Sequence, residues 1–168
     1  VIKFIDDDNG FVKMFIARRH IMFDIGGYVL VSRLLEGEFL DYTTAIPNSV
    51  STVLRANTKE MIDVIERVSI IITEKTRSPI RFIVDDERIK ISVITAISSA
   101  SDKIDASVSG KRIEIGFNNK FFLDALRSCD TDEVLINLNG PISPAVILPP
   151  EGNNFLYLIL PVRIKNDQ

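Results

Sequence analysis

The sequence predicts an α+β fold in which two β-α-β-hairpin halves place two helices on sheets. Short apolar runs separated by turn residues dominate the chain, a pattern typical of strands. Two segments instead repeat apolar residues at helical spacing, and each begins beside an asparagine suited to cap a helix. Because the order of elements around the second helix repeats the order around the first, we expect an internal duplication. Each helix has one apolar face, which it is expected to bury on a sheet.

The part of the chain before Pro47 reads as hairpins followed by a polar segment. The predicted strands are Val1–Ile5, Phe11–Ile16, His20–Ile25 and Tyr28–Ser32. The turns between them carry Asp8-Asn9-Gly10, Arg18-Arg19 and Gly26-Gly27. A compact polar stretch then leads to Pro47-Asn48-Ser49, where we place a domain boundary. Residues 1–46 are expected to end one domain, and residues 47–168 to form a complete second one.

The first predicted half begins with a strand and a capped helix. Thr52–Ala56 alternates as a strand does, and Asn57 with Glu60 fits a capping box. The helix carries an apolar stripe of Met61, Ile62, Ile65 and Val68. The rest of this half is expected to contain a strand at Ile70–Ile72, a hairpin of Ile80–Val84 with Ile89–Ile94, and a polar edge strand at Asp102–Ser109.

The second predicted half restarts the same pattern. Its expected elements are the strand Ile113–Phe117, a helix from Asn118 or Asn119 to Arg127, and the strands Glu133–Leu138, Ala145–Leu148 and Phe155–Leu160. Aligning Asn57 with Asn118 brings Met61 onto Phe122. Further on, Ser78-Pro79 aligns with Ser143-Pro144, and Phe155–Leu160 with Ile89–Ile94. Apolar residues continue after this last strand, at Pro161, Val162 and Ile164, although a proline cannot donate to a ladder.

The composition excludes several classes of protein. A net charge of −3 gives no global basic field, so any DNA contact depends on a local patch. One cysteine and one histidine exclude a disulfide framework and leave little for zinc binding or histidine catalysis. No apolar run reaches the ~18 residues of a membrane span, and no signal peptide is evident. A soluble, cytoplasmic protein is therefore expected.

No catalytic constellation is evident among the reactive residue types. His20 follows two arginines and fits a solvated turn, while Cys129 ends a helix and fits a structural cysteine. The acidic runs Asp6-Asp7-Asp8 and Asp85-Asp86-Glu87 suggest a cation site, but both fit hairpin turns and lack the EF-hand pattern. We predict neither enzymatic activity nor a cofactor or metal.

Two surfaces remain as candidates for binding. The polar helix faces carry Lys59, Arg67, Lys120 and Arg127 among acidic residues, which fits either a solvated face or a weak track along DNA phosphates. Apolar residues without a periodic role form the second set: Leu40, Phe121, Ile142, Pro144, Pro161, Val162 and Ile164. They fit either packing between domains or a groove for a short apolar peptide.

Three segments resemble a known family, the bacterial sliding clamp, which is the beta subunit of the replicative DNA polymerase III. Leu34–Tyr42 is similar to the end of the clamp's middle domain and its linker. Ile113–Leu126 is similar to a strand and helix of the last domain, and Leu158–Ile164 to the family's C-terminus. The resemblance implies a DNA-clamp fold, with helices inside a ring and sheets outside. It also implies that the chain supplies the end of the second domain and all of the third.

The resemblance implies a processivity factor that encircles double-stranded DNA and does no bond chemistry. Its partners would be the polymerase, the clamp loader and repair proteins, which bind through short linear peptides, and a second subunit in a homodimeric ring. The implied peptide groove comprises Leu40, Thr44, Ala45, Asn118, Phe121, Ile142, Pro144, Leu158, Leu160, Pro161 and Val162. Thr44 departs from the basic residue that some members have there. The implied ring interface comprises Ile70, Ile71, Asp102, Ile104, Ala106 and Val108.

Two other functions stay open on the sequence. One is a stand-alone peptide-binding module that does not act on DNA, and the other is an enzyme that uses Cys129 or an aspartate pair.

Overall fold

The computed structural model describes residues 11–39, 41–73, 76, 78–85 and 87–164. The chain divides into two compact units, Val1–Asp41 and Tyr42–Gln168. In the first unit, β1 (Val12–Ile16), β2 (His20–Ile25) and β3 (Tyr28–Arg33) form an antiparallel sheet in that order. These strands confirm the predicted hairpins, whereas the predicted strand Val1–Ile5 and turn Asp8-Asn9-Gly10 lie outside the described residues.

The second unit contains one short 3-10 helix, two α-helices and ten strands within the described residues. In chain order these are the 3-10 helix Tyr42–Ala45, β4 (Thr52–Asn57), α1 (Thr58–Ser69), β5 (Ile80–Asp85), β6 (Arg88–Ile94), β7 (Ser99–Asp105), β8 (Ser107–Gly110), β9 (Ile113–Phe117), α2 (Asn119–Arg127), β10 (Glu133–Leu138), β11 (Ala145–Leu148), β12 (Tyr157–Ile159) and β13 (Pro161–Val162). The strands form two five-stranded sheets, ordered β12-β11-β10-β4-β8 and β13-β9-β5-β6-β7.

The two sheet orders confirm the duplication. The first half, β4–β8, gives its three middle strands to one sheet and its first and last strands to the other. The second half, β9–β13, does the same with the two sheets exchanged. Both helix starts confirm the aligned caps: the Asn57 side-chain oxygen accepts from the Glu60 N–H at 2.9 Å, and that of Asn118 from the Lys120 N–H at 3.0 Å. Satisfying these otherwise unpaired N–H groups fixes where each helix begins.

One core lies between the elements of both halves. The strands alternate buried and less buried residues, as in the pattern BiBiBe of β5 and iBiBiB of β10, and the helices add Met61, Ile65, Phe122 and Leu126. The rings of Phe82, Phe117 and Phe122 meet with centroids 4.9–5.4 Å apart. The buried faces of both sheets and both helices therefore form a single cluster, and neither half has a separate core.

The predicted strand at Ile70–Ile72 is wrong. Ile70 has helical backbone angles and its N–H donates to the Arg67 carbonyl, while the Ile72 N–H donates to Ser69. These bonds continue the turn of α1 for another few residues. Apolar composition alone does not separate a strand from a helix end, which explains the error.

The predicted edge strand Asp102–Ser109 is two edge strands in different sheets. β7 ends one sheet and β8 ends the other, with Ala106 at the crossing point. The Ala106 N–H donates to the Glu87 carbonyl at 3.1 Å, so the crossing residue is tied to the β5–β6 turn. The edge position was predicted correctly, but the change of sheet was not.

The C-terminus crosses between sheets in the same way. β12 lies at the edge of one sheet and β13 at the edge of the other, with Leu160 between them. Pro161 thus joins a ladder after all, at an edge position. Two predicted repeat matches are also wrong, because Pro144 lies inside the β10–β11 connection whereas Pro79 precedes β5, and β12 corresponds to β7 rather than to β6. None of the helices in the described residues is long and apolar enough to cross a membrane.

Candidate functional site

Several predicted groove residues of the second half lie on or beside the paired strands β13 and β9. Pro161 lies opposite Phe117, which directly precedes the α2 cap Asn118. Phe121 is in the first turn of α2 and is 61% exposed, while Leu160 at the sheet crossing is 67% exposed. Exposed aromatic and aliphatic side chains of this kind supply the anchor positions of peptide-binding surfaces.

The β10–β11 connection approaches the same strand end. Ala145 pairs with Ile159, so the preceding Pro144 lies beside Leu160, and Ile142 in that loop is 79% exposed. Leu158 pairs with Val146 on the next strand. Thr44 and Ala45 lie in the 3-10 helix, and Leu40 is outside the described residues.

Gly116 permits the close approach of the C-terminal strand. A Cβ atom at this position would stand 2.7 Å from the Val162 carbonyl oxygen and 2.8 Å from Ile164 Cγ1. Both distances are shorter than carbon atoms tolerate, so only glycine fits beneath the terminal strand. The sequence predicted Gly116 within a strand but did not predict this close approach. The only local signal for it is the presence of a glycine in a strand.

The predicted DNA-facing cations are mostly paired with acids. Lys59 contacts Asp63 at 3.2 Å, Arg67 contacts Asp102 at 2.8 Å, and Arg127 of α2 reaches Glu66 of α1 at 2.7 Å. Lys120 has no ion pair within 4.0 Å in the described part of the chain. The hydrogen bond from Arg67 holds the pKa of Asp102 below its usual value, aided by the Lys103 N–H. Paired, exposed charges favour at most weak contacts with phosphates.

The residues predicted at a ring interface spread over two sheet edges and the end of α1. Ile70 is 80% exposed after α1, and Ile71 is half-buried against the core. Asp102 and Ile104 lie on the β7 edge, where Ile104 is almost fully buried. Ala106 stands at the sheet crossing and Val108 on the β8 edge, both half-buried.

The candidate reactive residues lack an activated setting. Burial raises the pKa of the Cys129 thiol to about 11, with a further contribution from Asp130. A thiol with this pKa is protonated at neutral pH, the reverse of an activated nucleophile. His20 is exposed at the start of β2, and no group of acids, histidines and cysteines in the described residues is arranged to hold a metal ion.

Comparison with known proteins adds an independent line of observation. The family model for the DNA polymerase III beta subunit, C-terminal domain, matches residues 43–163. The beta sliding clamp of Staphylococcus aureus is 29% identical over 163 residues, which are 96% of this chain and 43% of that protein. The chain therefore spans less than half the length of the curated relatives it matches.

Solved structures show the same fold. The DNA polymerase sliding clamp of Bacillus subtilis matches with a TM-score of 0.84 and 31% identity, over 95% of this chain and 43% of that one. The sliding clamp of Bartonella birtlesii, solved bound to griselimycin, matches with a TM-score of 0.81 and 29% identity, over 91% and 41% respectively. These similarities agree with the α+β clamp fold expected from the duplicated halves.

Proposed function

Because this chain belongs to the DNA polymerase III beta subunit family through its C-terminal domain, we propose that it forms the C-terminal part of a sliding clamp. Such a clamp is a non-catalytic ring that encircles double-stranded DNA and tethers the polymerase, the clamp loader and repair proteins. The observation that carries the proposal is the exposed apolar surface around Phe121 and Leu160, beside the α2 cap. The raised pKa of Cys129 supports a role without covalent catalysis.

The peptide groove of this proposal comprises the exposed residues at the C-terminal crossing together with Thr44 and Ala45 of the 3-10 helix. Phe121, Ile142 and Leu160 supply apolar anchors, and Pro161 and Val162 supply a strand edge. Leu40, Thr44, Ala45, Asn118, Pro144 and Leu158 complete the set. Thr44 makes its side of the proposed groove polar but uncharged, which favours apolar over acidic partner segments.

The helix cations belong to the same proposal as a DNA-facing surface. A clamp has to slide, so tight phosphate binding would oppose its function. The pairing of Lys59, Arg67 and Arg127 with acids fits this requirement. In this proposal the protein acts in the cytoplasm. Residues 1–46 form the end of a middle domain, and residues 47–168 form the last domain. A stand-alone peptide module is not favoured, because the family match covers both helices and every proposed groove residue except Leu40.

The groove is tested with griselimycin, which a relative binds. We expect Leu160→Ala to weaken griselimycin binding by about tenfold, because truncating an exposed apolar anchor that the ligand buries removes roughly 1.4 kcal/mol or more of binding free energy. Isothermal titration calorimetry on the purified protein measures the affinity. Ile97→Ala is the matched control, since Ile97 is 94% exposed in the β6–β7 turn. Equal losses for both variants, or none for Leu160→Ala, would contradict the groove.

The ring requires surfaces beyond those in this chain. In the proposed clamp, the third domain of one subunit meets the first domain of the next, so the contact is head to tail and closes only when both faces exist. We expect the 168-residue chain to form no closed two-subunit ring by this contact. Small-angle X-ray scattering measures this directly, and a ring-shaped dimer of this chain would refute it.

A further inference from the structure

The outer face of the β5–β6–β7 sheet carries two lysines directly opposite each other. Ile89 and Ile91 of β6 are buried in the core, so Lys90 between them points to the other face of the sheet. Lys103 lies opposite Lys90 on β7 and shares that outer face. Like charges directly opposite each other on neighbouring strands destabilise a sheet. The two residues, called the lysine pair below, therefore oppose the pairing of their strands.

The duplicated sheet shows that the fold does not require the lysine pair. Counted from the paired caps Asn57 and Asn118, its twin positions in the other sheet are Val146 and Leu158, which also lie opposite each other. Both twin residues are uncharged, so the same strand arrangement forms without this repulsion. The lysine pair is thus a property of this one face, and a role in binding accounts for it better than a role in folding.

No carboxylate in the described part of the chain neutralises the lysine pair. The acids of the neighbouring strands contact other cations: Glu114 lies 3.1 Å from Arg81, and Asp105 lies 3.1 Å from Arg88. Neither lysine makes an ion pair with a described residue. The positive charge of the lysine pair is therefore available to a ligand, and charge complementarity requires that this ligand be an anion.

The lysine pair lines a shallow depression of about 790 Å³. Half-buried Ile83, which lies opposite Lys90 on β5, adds apolar surface beside it. Charged residues of both signs line the end at the β5–β6 turn: Asp85, Glu87, Arg88 and Arg112. A nucleic-acid strand carries a charge at every nucleotide, so along this face it would meet the acids as well as the cations. A short acidic peptide can instead place its carboxylates over the lysine pair alone.

We propose that the lysine pair docks an acidic segment of a partner protein, with two of its carboxylates over Lys90 and Lys103. In an extended peptide alternate side chains face the same side about 6–7 Å apart, a spacing that flexible lysine side chains on neighbouring strands can match. Each carboxylate relieves the repulsion between the lysines and accepts charge-assisted hydrogen bonds. Because the contact is exposed, it is weak and sensitive to salt. The site shares no residue with the peptide groove and goes beyond the proposed function.

The test is an NMR titration of isotope-labelled protein with acetyl-Glu-Ser-Glu-Ser-Glu-amide, with the peptide carrying glutamine in place of glutamate as the control ligand. We expect amide shifts along β6 and β7 with the acidic peptide only, and weaker binding as salt is added. Lys90→Gln combined with Lys103→Gln is expected to lower the affinity about fivefold, because it removes two exposed charge contacts. Lys13→Gln combined with Arg18→Gln removes two exposed cations from β1 and its turn and is the matched control. It should change the affinity by less than about twofold.

Lys103→Glu separates loss of binding from loss of folding. The new carboxylate would lie opposite Lys90, so it replaces the carboxylate of the ligand and turns the repulsion into an attraction. We expect the midpoint of urea denaturation to rise above that of the unaltered chain while binding of the acidic peptide is lost. A lower midpoint would show that the lysines do not repel each other and would count against the proposal.

Three other results would overturn the acidic-segment site. They are equal affinity for the two peptides, unchanged affinity after both lysines are replaced, and an equal loss in the Lys13 and Arg18 control. Tighter binding of a short oligothymidylate than of the acidic peptide, dependent on the same two lysines, would assign this face to nucleic acid and would overturn the proposal as well.

Discussion

Replacing Phe122 with alanine is expected to lower the free energy of unfolding by about 3–5 kcal/mol. Phe122 is fully buried, and its ring lies 4.9 Å from that of Phe82 and 5.0 Å from that of Phe117. Truncation removes the transfer free energy of the ring and leaves a cavity between α2 and the sheet. Because one core joins both halves, we expect a single cooperative loss of stability, measured by urea denaturation.

The neighbouring residue is the matched control. Phe121 is 61% exposed on the same helix turn, so Phe121→Ala should change the free energy of unfolding by less than about 1 kcal/mol. It is expected to weaken griselimycin binding instead. Two adjacent phenylalanines thus separate stability from binding. A large loss of stability in Phe121→Ala, or a stable Phe122→Ala variant, would contradict the assignment of these faces.

The elements that the sequence predicts well are those set by local physical chemistry. Side-chain caps and apolar spacing placed α1 and α2, and turn residues placed the β5–β6 and β2–β3 hairpins. The aligned caps Asn57 and Asn118 also revealed the duplication, because each must satisfy the same unpaired helix N–H groups. Phe121 stood out as a candidate anchor because it lies one position off the buried stripe that includes Phe122.

The features that the sequence did not predict depend on contacts between distant segments. Crossing from one sheet to the other at Ala106 and Leu160 leaves no local pattern, since strand composition is the same on either side. Ile70–Ile72 is apolar because Ile71 and Ile72 pack on the core from a helical turn, not from a strand.

Gly116→Val is expected to detach the C-terminal strand and weaken griselimycin binding while the core stays folded. The new Cβ atom would stand 2.7 Å from the Val162 carbonyl oxygen, and both backbones are fixed there by the β9–β13 pairing. Since β13 is a two-residue edge strand, its displacement relieves the clash at lower cost than moving β9, which pairs with β5 along five residues. Pro161 and Val162 would leave the groove with it.

Amide hydrogen exchange and calorimetry test this together. Exchange should rise at Val162 and Ile164 but not along β5, and griselimycin affinity should fall by at least tenfold, about 1.4 kcal/mol. Arg55→Val is the control at the twin position, where β4 already accommodates a side chain beside β8 and only an exposed ion pair with Glu133 is lost. Unaltered exchange at the C-terminus of Gly116→Val would show that the strand accommodates the side chain, and the groove would then not depend on this close approach.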